Sequence, residues 1–365
     1  MYIDCDSHYF PVKFLEGVSA KYPHSPRVAR KGDDVRSVLP DGTLIKNQAP
    51  KGRWHLDTRD QHVDWEGFDV HVLIPENREL LYTWDRDLGC ELARAYNDAV
   101  AQDLKECAHP EKYIGVAWVY LPDIEEAVRE LRRAVEELGL KALKLSGGYN
   151  NCDLDAEVLW PLYEEIARLD VPILVHPGAR VFEDQHSHPW LIGSERYEGF
   201  PFFPTALGFP LTYMVTAARL IFSGVLDRFP SLRFAFFEGG VGWVPWLMTM
   251  LDHHVPAEAS VSTAVRQFFK GEEKIKKSPT EYFSHFYIAA VSWESYLPDI
   301  VKAWPDHNII TGSDFDHNDA ISTWPNTVKP IQAMAGLSEE EKEKILGGNM
   351  MRLFKMNGES LPPHP

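Results

Sequence analysis

Tyr2-Ile3-Asp4-Cys5-Asp6-Ser7-His8 is an apolar run that ends on metal-capable side chains. The ending decides the reading because it recurs. Pro172-Ile-Leu-Val-His176, Leu232-Arg-Phe-Ala-Phe-Phe-Glu238 and Asn308-Ile-Ile-Thr-Gly-Ser-Asp314 are further strand-like runs that stop on an imidazole or a carboxylate. Polar side chains placed where parallel strands stop are what a (β/α)8 TIM barrel arranges around its catalytic mouth.

Outward from these runs, short apolar stretches alternate with amphipathic ones, the pattern of repeated βα units and a parallel sheet. The expected strands are 2–6, 69–74, 113–119, 141–145, 171–176, 232–238, 285–290 and 307–313. Helices are expected at 87–107, 123–138, 156–169, 206–228, 242–254, 295–304 and 338–347. In 123–138, Asp123 is a natural N-cap, while Ile124, Val128, Leu131, Val135 and Leu138 share one face and Gly139 stops the helix. A single barrel domain over 1–357 follows, with long loops inserted at about 20–62, 178–205 and 255–283 and a loose tail at 358–365. Loops of that length in a compact domain serve as lids or pocket walls.

The composition bounds the partners. A formal charge of -17 over 365 residues argues against nucleic acid and against an anionic membrane surface. No apolar run approaches the length that spans a bilayer; the longest, around Phe234 to Leu251, is broken by Glu238 and glycines. Cys5, Cys90, Cys107 and Cys152 lack C-x-x-C spacing, which fits reduced thiols in a cytoplasmic protein. No signal peptide precedes the first strand. The expected partner is a small-molecule substrate, and a homodimer is the default assembly.

Asp6 and His8 lie two apart, so on a strand both point to one face. His176 and Asp314 end the fifth and eighth runs, and strands eight and one are neighbours in a closed barrel. Each residue alone reads as a cap, an ion-pair partner or a core histidine. Together, two imidazoles and two carboxylates suit one divalent ion, Zn²⁺ or Mn²⁺.

Ile3-Asp-Cys-Asp-Ser-His8, Leu174-Val-His-Pro-Gly178, Phe237-Glu-Gly-Gly-Val-Gly-Trp243, Gly312-Ser-Asp-Phe-Asp-His317 and Leu346-Gly-Gly-Asn-Met-Met-Arg-Leu-Phe354 carry a family resemblance across the chain. In that order they resemble the amidohydrolase superfamily, in the amidohydrolase-related branch that contains the aminocarboxymuconate semialdehyde, γ-resorcylate and 5-carboxyvanillate decarboxylases. The resemblance implies Asp6, His8, His176 and Asp314 as ligands of one metal. The family pattern begins H-x-H or E-x-H, where this chain has Asp6. Several decarboxylases of the branch carry a proton-transferring histidine on strand six, where this chain has Glu238. In binuclear members a strand-four lysine is carboxylated. Lys144 stands there, and reads equally as an ion-pair partner or a contact for a substrate anion.

The departure at Glu238 makes a hydrolase the expected activity. A carboxylate in place of a histidine removes a proton donor and disfavours a polyanionic acid. On that reading a metal-activated water attacks a small, cyclic or aromatic substrate. Asp314 accepts the water's proton, Glu238 orients the water or acts as acid/base, and His317 stabilises developing charge. The alternative is non-oxidative decarboxylation of a small aromatic or muconate-like acid, with Arg53, Arg180 or Arg196 holding its carboxylate. A barrel that binds metal without catalysis is the third reading. His188, with His186, forms a second H-x-H on a loop and is read as a pocket wall or surface pair ahead of a second metal site, and the cluster Tyr197, Phe200, Phe202 and Phe203 is read as packing the loop onto the barrel ahead of walling a pocket for a planar substrate.

Overall fold

The computed structural model describes residues 1–31, 34–42, 44–49, 52, 54–75, 84–146, 148–149, 152–177, 204–254, 275–315, 317 and 322–356. Eight parallel strands form one sheet in sequence order: β1 (Ile3–Tyr9), β2 (Val70–Pro75), β3 (Tyr113–Ala117), β4 (Ala142–Ser146), β5 (Ile173–His176), β6 (Phe234–Phe236), β7 (Phe286–Ala290) and β8 (Ile309–Thr311). The sheet closes just beyond β8. Ser7 bridges Phe315 in parallel, the His8 N–H donates to the Phe315 carbonyl at 2.9 Å, and the Asp314 N–H donates to that of Asp6 at 2.9 Å. The expected TIM barrel and all eight of its strands are present.

Alternation along each strand sorts the apolar side chains into two cores. Ile3, Cys5, Val72, Ile74, Leu174 and Ile310 belong to an inner cluster that fills the barrel. Leu73, Leu143, Val175, Phe236 and Ile309 belong to the larger cluster between sheet and helices. A strand buried on both faces is mostly apolar on both, so a polar side chain within it, such as Asp4, His71 or Lys144, is buried among apolar neighbours.

The outer helices follow from local signals. Asp123 caps Ile124–Glu136 by accepting from the Glu126 N–H at 3.0 Å. The expected helix 206–228 breaks at Gly224, whose φ of 81° separates Phe209–Phe222 from Val225–Arg228. The expected helix 338–347 continues through a π-helical turn, Lys344–Gly348, into Asn349–Leu353.

Three differences stand out. Residues 20–62, read as irregular, contain an antiparallel sheet of Arg27–Lys31, Asp34–Val38 and Leu44–Ala49, followed by the helix Leu56–Glu66. Val12–Lys21 is a helix that was not expected. Thr205–Phe222 is apolar enough and, at 18 residues, long enough to cross a membrane, contrary to expectation; here it packs part of its surface on the barrel.

Candidate metal centre

β1 brings two candidate ligands, Asp6 and His8, to the centre through a register shift. Asp4 pairs with His71 and Ser7 with Leu73, so β1 advances three residues while β2 advances two. Ile3 and Cys5 point into the barrel. Strict alternation would aim Ser7 inward and both Asp6 and His8 outward. The extra residue resets the phase, so that Ser7 turns outward to His71 and His8 turns inward beside His176. Bulges of this kind re-aim side chains next to active sites.

The other strands end on their own devices. His176 is the last residue of β5, and Leu174 below it fills the barrel. Glu238 and Asp314 both sit in the left-handed region, with φ of 59° and 54°. Non-glycine residues rarely occupy it, and such strain collects at functional sites. Gly240 (φ 61°) completes the turn after Glu238, where a Cβ would stand 2.8 Å from the Glu294 carboxylate. Gly312 lets β8 approach β1, because a Cβ there would lie 2.6 Å from the Asp6 Cβ.

Six buried or nearly buried side chains converge. His8 Nε2 lies 3.2 Å from Asp314 Oδ1 and 4.0 Å from Glu238 Oε1. His176 Nε2 lies 3.2 Å from Glu238 Oε1 and 3.8 Å from Asp6 Oδ1. His317 Nδ1 lies 2.7 Å from Asp314 Oδ1 and 3.9 Å from Glu238 Oε1. The donor atoms form two sets that share His8: one with Asp6 and His176, the other with Glu238, Asp314 and His317, each within 4.8 Å. Three carboxylates in a buried hollow make a strongly negative potential. Burial lowers the pKa of His176, yet the adjacent Glu238 and Asp6 outweigh it and raise the pKa overall. A hollow that draws a proton onto an imidazole also draws a cation. Nitrogen and oxygen donors at these separations fit one divalent metal.

A scaffold behind the ligands was not foreseen. Arg59, from the helix Leu56–Glu66, is fully buried. It donates to Ser7 Oγ at 2.8 Å, to the Gly52 carbonyl at 2.8 Å and to the His8 carbonyl. Its guanidinium lies 4.7 Å from the centre of the Phe315 ring and 5.4 Å from that of Tyr9. Ser7 Oγ continues to His71 Nδ1 at 2.9 Å, and Asp4 accepts from the Ser313 N–H at 2.8 Å and Oγ at 2.5 Å. Burial, opposed by the Ser313 hydrogen bonds, pushes the Asp4 carboxyl up to about 6. The network ties the ends of β1 and β8 to one charged side chain. An arginine in a segment read as irregular gave little signal; Asp4, a second acid alternating with Asp6 and His8, gave some.

A pocket of about 260 Å³ opens beside Glu238, walled by Gly239, Trp243, Trp293, Glu294 and Tyr296. Lys144 pairs with Leu174, a layer below His176, and is buried. Arg53, Arg180, His188 and Arg196 lie outside the described residues, as do Tyr197, Phe200, Phe202 and Phe203.

The model of the family described as Amidohydrolase matches residues 3–356. The chain belongs to that family. It is 26% identical over 360 residues to 2-amino-3-carboxymuconate-6-semialdehyde decarboxylase of Dictyostelium discoideum, over 97% of this chain and 92% of that protein. It is 27% identical to γ-resorcylate decarboxylase of Rhizobium radiobacter, over 83% of this chain and 88% of that one. Among solved structures, dihydroxybenzoic acid decarboxylase of Polaromonas sp. JS666, with bound manganese and the inhibitor 2-nitroresorcinol, superimposes with a TM-score of 0.71 at 22% identity, over 98% of this chain and 97% of that one.

These relatives overturn the expected hydrolase, for they are decarboxylases. The geometry shows why the electrostatic premise failed. The premise makes Glu238 a bare negative charge facing the substrate. Its Oε1 lies instead within 4.0 Å of imidazole nitrogens of His8, His176 and His317, so its charge belongs to the centre. His317 also reaches the same hollow from beyond β8, with Nδ1 2.7 Å from Asp314 and 3.9 Å from Glu238.

Proposed function

We propose that this amidohydrolase is a metal-dependent, non-oxidative decarboxylase (a carboxy-lyase) of a small flat acid, hydroxyaromatic or muconate-like. The observation that carries it is His317, partly exposed at the mouth with Nδ1 2.7 Å from Asp314: a proton carrier held against the ligand cluster and beside an aromatic-walled pocket. Asp6, His8, His176 and Asp314 hold the divalent metal, Zn²⁺ or Mn²⁺. When bound, that ion supplies positive charge to draw in the substrate's carboxylate and adjacent hydroxyl.

The chain's own residues do the rest. Trp243, Trp293 and Tyr296 offer flat apolar walls to the substrate and exclude water from it. As the bond to the carboxylate breaks, CO2 leaves and its electron pair stays on the substrate carbon. His317 delivers a proton to that carbon, and the Asp314 carboxylate, with Oδ1 2.7 Å from His317 Nδ1, favours its charged form beforehand. Arg53, Arg180, His188 and Arg196 are candidates for holding a further anionic group. The exposed Trp246 suits pairing into a homodimer, which light scattering on a sizing column checks.

The test is CO2 release from hydroxybenzoates and muconate-like acids by Zn²⁺- and Mn²⁺-loaded protein. We expect CO2 and decarboxylated product in equal amounts. His317→Asn should lower kcat by about 10²–10⁴ with little change in KM. A metal-loaded protein that releases no CO2 across the panel overturns the reading.

A further inference from the structure

The sequence reading gave Glu238 a role in proton transfer, and nothing in the ligand pattern Asp6, His8, His176 and Asp314 includes it. The geometry does. At bonds of about 2.1 Å, two ligands of one ion stand about 3–4 Å apart. Glu238 Oε1 meets that spacing twice, at 3.2 Å from His176 Nε2 and 4.0 Å from His8 Nε2. Asp314 Oδ1 stands 3.2 Å from His8 Nε2, the same relation. The backbone repeats the correspondence. Both acids follow the end of a barrel strand, both are held at positive φ, and each has a glycine two residues away where a Cβ would clash, Gly240 and Gly312.

We infer that Glu238 is a metal ligand, the fifth of the centre, rather than its proton relay. The inference rests on the metal-dependent reading above and deepens it. The centre then has three anionic oxygens, from Asp6, Glu238 and Asp314, and two imidazole nitrogens. Three negative charges against a divalent cation favour a hard, oxygen-preferring ion of higher coordination number, Mn²⁺, over tetrahedral Zn²⁺.

The experiment measures binding, not turnover. Metal-free full-length protein is titrated with Mn²⁺, with free Mn²⁺ read by its electron paramagnetic resonance signal, and then with Zn²⁺ in competition. Wild type is compared with Glu238→Gln, which keeps the shape and loses the charge, and Glu238→Asp, which keeps the charge and shortens the reach. For a ligand, we expect both variants to bind Mn²⁺ at least 100-fold more weakly, with the preference moving towards Zn²⁺. Wild-type affinity in Glu238→Gln overturns the inference. A weakened Gln variant beside an unaffected Asp variant overturns it too, since Glu238 would then be only a counter-charge. If the variants do not fold, a structure of the Mn²⁺-loaded wild type decides: a Glu238 oxygen within about 2.6 Å of the ion supports coordination, and a greater separation refutes it. Because no substrate enters, a failed decarboxylase panel and a failed ligand assignment are separate results.

Discussion

Replacing Arg59 tests whether the centre hangs on its scaffold. Arg59→Met keeps much of the side-chain length and removes the fork. It leaves Ser7 Oγ, the Gly52 carbonyl and the His8 carbonyl without their buried donor. Each lost charge-assisted bond costs about 1.5–3 kcal/mol taken singly. The losses do not add, and relief from burying the guanidinium offsets part of them. A net loss of about 2–4 kcal/mol is expected, below the sum of the three bonds because buried acceptors are left unpaired while no charge remains buried. Urea unfolding followed by circular dichroism measures it as a fall in midpoint at unchanged slope. Arg59→Lys should recover only part, because an ammonium cannot reach three acceptors with the planar fork's geometry. Metal affinity should fall with stability, since the same bonds fix the backbone of His8. A loss below about 1 kcal/mol in the Met variant would refute the scaffold argument.

Other substitutions probe other links. His8→Ala should purify with little metal while keeping its secondary structure, which elemental analysis and circular dichroism check together. Gly312→Ala pushes a methyl against the Asp6 backbone and Cβ; we expect about 1–3 kcal/mol of destabilisation and weaker metal binding, and an unchanged metal affinity would show that β1 yields freely. Glu66 is pushed up to about 7, first by burial and then by Asp4. Its protonated form therefore favours folding, a contribution complete below pH 4.5 and lost as pH rises through 7. Glu66→Gln should remove that dependence and be more stable than wild type at pH 8 by about 1–3 kcal/mol; equal stability of the two at pH 8 would refute it.

The barrel was legible because its strands are buried on both faces. A double-sided strand must be an unbroken apolar run, and such runs as Ile173–His176 and Ile309–Thr311 stand out without any partner being known. Residues 20–62 were opaque for the opposite reason. Arg27–Lys31 and Asp34–Val38 form a ribbon whose apolar residues are sparse, and Leu56–Glu66 has no continuous apolar stripe. That helix places Arg59 beneath β1, and the groups Arg59 bonds are 52 and 51 residues away in sequence. Val12–Lys21 could have been found: Val12, Leu15 and Val18 recur at a helical interval, and all three are buried.

The site shows a subtler limit. Spacing put Asp6 and His8 on one face, and both do reach the centre, but regular alternation is not what brings them there. With Ile3 and Cys5 inside the barrel, a regular strand would have faced both ligands to the helices. The extra residue on β1 resolves this, and it depends on β2 pairing, on Gly312 admitting the Asp6 backbone and on Arg59 holding Ser7 outward. Glu238 carries the same lesson in charge. As a letter it reads as a histidine lost and an anion gained, which pointed to the wrong reaction. In space it lies among three imidazoles, where an anion adds to the hold on a cation. The residue type fixed the sign of the charge, and the neighbours fixed what the charge acts upon.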